Sequence, residues 1–436
     1  MSDIWVSIIA IVASMGLVAL RVHIGAAFGI VAIFAFAYLL NWRAALSMAS
    51  SVPFPLVGDW NMTAIPMFLL MGYIGSTTNL TEGLFSSMRV LLSRLPGGLA
   101  LTSVASCAAL AAASGSSVAT TAAMGRIAVP EMVRHGYKPS LAAGVVASSG
   151  TLGSLIPPSL LMIIYGTITE VSVGALFLAG VVPGILSALL YAVMVIVRVR
   201  LDPSLAPPVQ EQFTARERWQ ALASASPLPL IILFVLGGIL EGWFTPTEAG
   251  ACASVAVMVV AAFRRQLTLA AFLKAARLTV IGTASLFIVV IGTAMLGRLM
   301  ALTGLPRELA DALVATGAGP IGVIALVALI YIVLGMFLDS IGIMLLTLPI
   351  LMPLTGALGI DMIWFGILVI KLLEIGLVTP PVGLNCFVLK GAVGRLVSLP
   401  EIFRGVSWFI VTDLVTLVIL VAFPILSLWL PAFMAN

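Results

Sequence analysis

This chain reads as an all-α polytopic membrane protein, from its composition, the length of its apolar segments, and a pattern that recurs at one fixed spacing. Of its 436 residues, 61% are hydrophobic and 9% charged, against roughly 25% charged in a typical soluble domain. A soluble fold of this length could not hide so much apolar surface, so the bilayer is the expected solvent. The net charge of +4 is small and gives no basis for nucleic-acid binding. Cys107, Cys252 and Cys386 lie inside apolar stretches, where they form neither a disulfide framework nor a metal spacing. His23 and His135 lie far apart at segment ends and read as interfacial residues.

The segmentation comes next. A span needs about 20 apolar residues, or ~17–25 with tilt. Ten segments qualify: 4–20, 24–40, 62–80, 140–166, 172–197, 228–244, 247–263, 279–303, 361–390 and 405–432. The first is read as a membrane helix and not a cleaved signal, because Asp3 stands where a signal carries positive charge. Two further apolar stretches, 97–133 and 320–356, are too long for one helix and carry small or polar residues near their middles. They read as re-entrant helical hairpins. With the N-terminus outside, the inner loops hold 16 of the Lys and Arg residues and the outer loops only Arg43 and Arg307. Counting either hairpin as a full crossing scrambles that positive-inside bias, so the re-entrant reading is favoured. The polar stretch 198–227, with Arg216-Glu217-Arg218, reads as a cytoplasmic linker carrying a short surface helix. The stretch 264–278 mixes basic and apolar residues and suits a separate interfacial helix.

The recurring pattern has an offset of 223 residues. Pro157-Pro158 maps onto Pro380-Pro381, Pro130 onto Pro353, Gly153 onto Gly376 and Ser117 onto Ser340, while Ser116 falls on Asp339. A third pair, Pro207-Pro208, lies in the polar linker and shares none of these partners. The expectation is two structural repeats, 1–197 and 228–436, each with three helices, a hairpin, a broken helix and a final helix. Five crossings per half turn the second repeat upside down relative to the first, a recurrent plan of secondary transporters.

Four stretches are candidates for chemistry. Ala113-Ser114-Gly115-Ser116-Ser117 forms the first hairpin tip, and irregular backbone survives at membrane depth only when buried in protein or lining a cavity. In Gly150-Thr151-Leu152-Gly153-Ser154-Leu155-Ile156-Pro157-Pro158-Ser159, two prolines remove two amide donors and free the carbonyls upstream. Unwound carbonyls beside hydroxyls make a sodium-type site, whereas half-helix N-termini favour anions. The second-half counterparts are the tip Gly335-Met336-Phe337-Leu338-Asp339-Ser340 and the break Glu374-Ile375-Gly376-Leu377-Val378-Thr379-Pro380-Pro381. Asp339 and Glu374 are ionisable groups deep in apolar sequence, which marks functional candidates. Lys371 lies one turn before Glu374 and is a plausible partner, so a structural pair stays open there. Arg126 and Arg298 could each meet a substrate carboxylate, but a structural reading is favoured for both: Arg298 snorkels near the outer interface, and Arg126 lies on the returning arm of the first hairpin on the way to Arg134. Thr245-Pro246-Thr247-Glu248 reads as a helix start, with Thr245 as cap and Glu248 in the first turn. There is no G-x-x-x-x-G-K-[ST] loop and no His-Glu-x-x-His, so neither ATP hydrolysis nor another enzyme activity is expected.

These motifs resemble the large membrane subunit of TRAP (tripartite ATP-independent periplasmic) transporters. The resemblance is carried by Ser114-Gly115-Ser116-Ser117, Ile156-Pro157-Pro158-Ser159 and Thr379-Pro380-Pro381-Val382-Gly383-Leu384-Asn385. Phe244-Thr245-Pro246-Thr247-Glu248-Ala249 and Val129-Pro130-Glu131-Met132 add to it. It implies an elevator-type architecture in a bacterial inner membrane, in which the Lys and Arg distribution places both termini on the periplasmic side. It also implies sodium-coupled import of an organic acid, delivered by a periplasmic solute-binding protein and supported by a separate small four-helix subunit. No cofactor is implied beyond sodium as the coupling ion, and the remaining partners are the carboxylate substrate and membrane lipids. On this reading sodium is held by Ser114, Gly115, Ser116, Ser117, Gly153, Ile156 and Pro157, and by Gly335, Asp339, Gly376, Thr379 and Pro380. The substrate lies between, among Ser116, Thr151, Ser159, Ser340, Thr379, Gly383 and Asn385. The alternative is a stand-alone sodium- or proton-coupled dicarboxylate or citrate carrier of related architecture.

Overall fold

Every regular element is a helix among the described residues of the computed structural model, which are 3–78, 80–207, 213–315 and 319–435. Pro208 of the third proline pair, with Met1 and Ser2, falls outside them. Helix starts follow local chemistry. Pro139, Pro227, Pro246 and Pro320 each open a helix at a position where the missing amide costs nothing. Thr245 and Glu248 close a capping box on Pro246–Phe263, as the sequence predicts, and Thr214 with Glu217 does the same on the linker helix Ala215–Ala225.

Among the described residues, six helical segments have the length and apolarity of a membrane span, and a seventh arises if Ala215–Ala225 and Pro227–Leu240 are taken as one segment bent by 45°. Shorter apolar helices such as Asp3–Ala19, Ile24–Leu39 and Pro320–Gly335 accompany them. The outward faces are apolar: Leu201, Phe263, Val280 and Val418 are all exposed. Trp5, Trp42, Trp60, Trp243, Trp408 and Trp429 are exposed as well, in keeping with interfacial anchoring. By contrast, the segment Pro139–Thr169 is 83% buried over its most apolar window, so this broken helix lies inside protein and not against lipid.

Helix limits keep the 223-residue spacing along most of the chain. Pro139–Leu155 corresponds at both ends to Met362–Val378, and Ser117–Arg134 to Ser340–Ala357. Gly98–Ser114 corresponds to Pro320–Gly335, and Leu160–Thr169 to Leu384–Val393, within two residues. Both Pro-Pro bonds, Pro157-Pro158 and Pro380-Pro381, are cis.

Some elements differ from expectation. The stretch 264–278 is not a separate interfacial helix. Thr268 caps a helix that runs unbroken from Leu269 to Thr303, because no proline interrupts its basic first turns before the apolar run. The last crossing, expected over 405–432, is Leu399–Ala422; Pro424 follows and cannot continue it. The crossing expected to end at residue 197 continues to Leu201, with Arg198 and Arg200 in its last turn, where cations favour the helix end. Trp42–Ser51, Leu80–Leu92 and Leu305–Ala315 are helices that the apolar segmentation does not predict; each is too short or too polar to qualify as a span.

The helices pack through small residues. Gly25 faces Ile288 and Gly292 so closely that a methyl group on Gly292 would meet the Gly25 carbonyl oxygen at 1.9 Å. Gly405 stands in the same way against Ser140, at 2.0 Å. Such contacts let backbones approach where burial from water gives no driving force. Helices Asp3–Ala19 and Ile24–Leu39 share a smaller core with Met295, Leu296 and Leu299. The hairpins and broken helices share the main core.

Candidate functional site

Each hairpin tip rests on the break of its own half. In the first, Ser114 ends the entering arm, Gly115 takes the left-handed conformation (φ +60°) that glycine tolerates, and Ser116 caps the returning arm. The Leu160 amide, just past Pro157-Pro158, donates to the Gly115 carbonyl at 3.3 Å. Ser117 Oγ shares a 2.5 Å hydrogen bond with Ser154 Oγ and donates to the Thr151 carbonyl at 3.2 Å. Ser114 Oγ is bonded to Thr120 Oγ1 at 2.7 Å. A methyl group on Gly153 would lie 2.8 Å from the Ser116 carbonyl carbon, so glycine alone lets the tip sit this close.

The tip before Ser340 and the Pro380-Pro381 break show a matching arrangement with different side chains. The Gly383 amide donates to the Met336 carbonyl at 3.4 Å, and Gly383 stands 223 residues after Leu160. Gly383 is left-handed (φ +57°). Asp339 caps the returning arm Ser340–Ala357, accepting from the Gly342 amide at 3.1 Å. Gly335 and Gly376 face each other, and a methyl group on either would fall within 2.7 Å of the other's Cα.

The two tips meet at a cavity of about 110 Å³, lined by Gly115, Ser116, Ser117 and Ser154 from the first half and by Asp339 and Ser340 from the second. Val118, Leu160, Leu161, Ile341, Leu377 and Leu384 complete its wall. Asp339 Oδ1 and Ser340 Oγ are buried without a hydrogen-bond partner among the described residues. Hydroxyl, carboxylate and carbonyl oxygens, with no thiol or imidazole, form a donor set suited to a hard cation.

Other sequence candidates lie around this cavity and do not line it. Gly335 and Gly376 pack against each other through their Cα atoms. Thr151 is buried and donates to the Ser148 carbonyl at 2.7 Å; Thr379 donates to the Ile375 carbonyl at 2.6 Å. Asn385 Nδ2 reaches the Ala147 carbonyl at 3.4 Å, tying the second break to the first broken helix. Ser159 Oγ and Asn385 Oδ1 are buried without partners among the described residues. Ile156 and Pro157 are packed within the first break, whereas Pro380 is exposed at the second. A larger cavity of about 670 Å³ opens beside the first tip, between helices Ala64–Thr77 and Leu269–Thr303 and the first hairpin, and it reaches Ser114 and Ser116.

Glu374 does not reach the tips. Lys371 Nζ donates to Asp413 Oδ1 at 2.7 Å, to Glu374 Oε2 at 3.2 Å and to Ser187 Oγ at 3.2 Å. Tyr191 donates to the same Asp413 oxygen at 2.7 Å. All five are fully buried. This cluster joins the second broken helix to helices Val173–Leu201 and Leu399–Ala422. Sequence reasoning finds Lys371 and Glu374 but misses Asp413, although an aspartate in the apolar run of the last crossing carries the same signal. Arg298 donates to Ser51 Oγ at 3.3 Å, at the end of helix Trp42–Ser51.

The sequence profile described as the DctM component of tripartite ATP-independent periplasmic transporters matches residues 11–426. The chain belongs to this family. It is 34% identical to the C4-dicarboxylate TRAP transporter large permease protein of Vibrio cholerae over 90% of this chain and 91% of that one. The corresponding Pseudomonas aeruginosa protein is 37% identical over 85% and 86%. The sialic acid TRAP transporter large permease of Vibrio cholerae is 32% identical over 86% and 87%. Among solved structures, the Alcanivorax borkumensis YdaH transporter superposes with a TM-score of 0.59 at 15% identity, covering 88% of this chain and 90% of that one. Neisseria gonorrhoeae MtrF gives 0.52 at 14%, covering 87% and 85%. At that identity the likeness shows a shared fold. The chain is therefore a multi-pass transport subunit of the TRAP large-permease family, a family of transporters and not of enzymes.

Proposed function

We propose that this chain is the membrane permease of a sodium-coupled, binding-protein-dependent importer of organic acids across a bacterial inner membrane. The observation that carries the reading is the meeting of both hairpin tips, each bonded to its own Pro-Pro break, around an oxygen-lined cavity. One sodium ion is assigned to the first tip and break, at Ser114–Ser117 and Gly153–Pro157. A second is assigned to Gly335–Asp339 and Gly376–Pro380. The substrate carboxylate then lies between the cations, near Ser116, Thr151, Ser159, Ser340, Thr379, Gly383 and Asn385. Ser116 and Ser340 border the tip cavity, and Asp339 Oδ1 is a buried carboxylate oxygen in need of a partner. The 223-residue correspondence of helix limits supports two inverted repeats joined by a cytoplasmic linker, and the Lys and Arg distribution supports ten crossings with periplasmic termini.

The family description, a tripartite periplasmic transporter of which this is one component, and the relatives' name 'large permease' favour a system with further subunits over a carrier that works alone; the small membrane subunit and periplasmic binding protein are proposed on that basis. The test is uptake of a C4 dicarboxylate into proteoliposomes holding this chain and the small subunit, with the binding protein outside. Uptake is expected only with an inward sodium gradient and only with the binding protein. Undiminished uptake without sodium sinks the coupling, and uptake without the binding protein favours the stand-alone carrier.

A further inference from the structure

The cavity of about 670 Å³ beside the first tip has walls of opposite origin. One is the returning arm Ser117–Arg134, which contributes Arg126; the other is the helix Leu269–Thr303, which contributes Lys274. No Asp or Glu lines this space among the described residues. Some cations elsewhere in the chain are engaged, such as Arg134 with Glu131, Lys138 with Asp202, Lys371 with Asp413 and Lys390 with the Gly394 carbonyl, while others such as Arg277 and Arg395 are not, among the described residues. Arg126 and Lys274 make no hydrogen bond or ion pair among the described residues. On its far side Arg126 borders a shallower cavity with Glu131, but that carboxylate is taken by Arg89 and Arg134. Ser116 lines both the large cavity and the cavity between the tips, so the two spaces adjoin at one residue.

Two unpaired cations facing one cleft with low-dielectric walls focus a positive field and concentrate anions there. A guanidinium offers a carboxylate two parallel hydrogen bonds, and an ammonium adds a point charge. We propose that this cavity is an anion vestibule, in which Arg126 and Lys274 hold the carboxylate of the solute as it passes between the tips and the open side. This takes up the carboxylate-facing alternative for Arg126 in place of the structural reading favoured from sequence. The proposal rests on the transport reading for its substrate class, but its electrostatic content stands without it.

The test needs no knowledge of the natural solute. Ala122 lines the cavity, and Cys107 and Cys386 are buried, so Ala122→Cys in a Cys252→Ser background gives one accessible thiol there. Its labelling rates with an anionic and a cationic methanethiosulfonate of similar size are compared in purified protein. The anionic-to-cationic ratio is expected to fall about tenfold or more in Arg126→Gln/Lys274→Gln, at the low end of what charged clefts achieve. Succinate should slow labelling by a neutral reagent while succinamide of the same length does not, and Arg126→Gln should abolish that protection. An unchanged ratio, or equal protection by the diamide, overturns the vestibule. Absence of sodium-driven uptake by the complete system, with the ratio intact, would instead sink the transport reading.

Discussion

Lys371 Nζ lies 2.7 Å from Asp413 Oδ1, and neither residue is exposed at all. The bond spans two elements, the second broken helix and the last long helix. Glu374, Tyr191 and Ser187 complete the cluster, and one oxygen of each carboxylate has no partner among the described residues. Removing one member of a buried ion pair leaves a charge without compensation, at a cost of roughly 3–5 kcal/mol. Lys371→Met is therefore expected to lower the thermal midpoint of the purified protein sharply. The triple change Lys371→Met/Glu374→Gln/Asp413→Asn should recover much of that loss, since it removes the charges together. A triple variant less stable than Lys371→Met alone would show that the cluster acts through something other than charge balance.

The contact between Gly335 and Gly376 predicts a steep size limit. A methyl group on Gly376 would sit 2.6 Å from the Gly335 Cα, and both partners are backbone that cannot swing aside. Overpacking of this kind costs about 1–3 kcal/mol or more. Gly376→Ala should reduce thermal stability and uptake together. Gly391 lies on the helix Leu384–Val393, and a methyl group added there would meet nothing within 4 Å. It provides the comparison: Gly391→Ala should leave both stability and uptake unchanged. Equal behaviour of the two variants would remove the steric argument.

The linker helix carries a pH-sensitive start. The Thr214 amide and hydroxyl donate to Glu217 Oε2 at 2.6 and 2.8 Å. The backbone bond first, and the hydroxyl second, hold the Glu217 carboxyl below the usual glutamate range. Because the folded form prefers the ionised group, its stabilisation is complete above the ordinary glutamate value and disappears as pH falls through the lowered one. Protection of the Thr214, Glu217 and Arg218 amides, which this cap bonds, against hydrogen exchange should fall over that acidic window, and Glu217→Gln should flatten the dependence. Protection that rises on acidification would contradict the assignment.

Much of this architecture is legible because membrane sequences write their constraints plainly. Pro157-Pro158 and Pro380-Pro381 announce the breaks, and Ser116 and Asp339 announce the tips, since prolines, caps and irregular backbone are rare in apolar runs. The Lys371–Glu374 pair follows from helical spacing. What stays hidden depends on tertiary packing. Asp413 joins Lys371 across 42 residues of chain, which no local period reveals. Gly335 and Gly376 carry no signal that distinguishes a packing glycine from a ligand-bearing one. The continuity of Leu269–Thr303 is obscured because its basic first turns look interfacial in isolation. Arg126 is hidden for the converse reason: a cation in an apolar run says nothing of the cavity it faces.

The first tip should be energetically coupled to its break through Ser117 and Ser154, whose hydroxyls are 2.5 Å apart and buried. Ser117→Ala strands the Ser154 hydroxyl, and Ser154→Ala leaves Ser117 with only the Thr151 carbonyl. A buried hydroxyl pair contributes about 0.5–1.5 kcal/mol, so the two single changes should lose more than half of what the double change loses, with a coupling of that size in the cycle. If sodium binds at the same tip, the rise in thermal midpoint on replacing choline chloride with sodium chloride should shrink in both single variants. Gly391→Ala should retain the full rise. Additive losses with an unaltered sodium response would place the cation away from the first tip and leave the Asp339 side of the cavity as its seat.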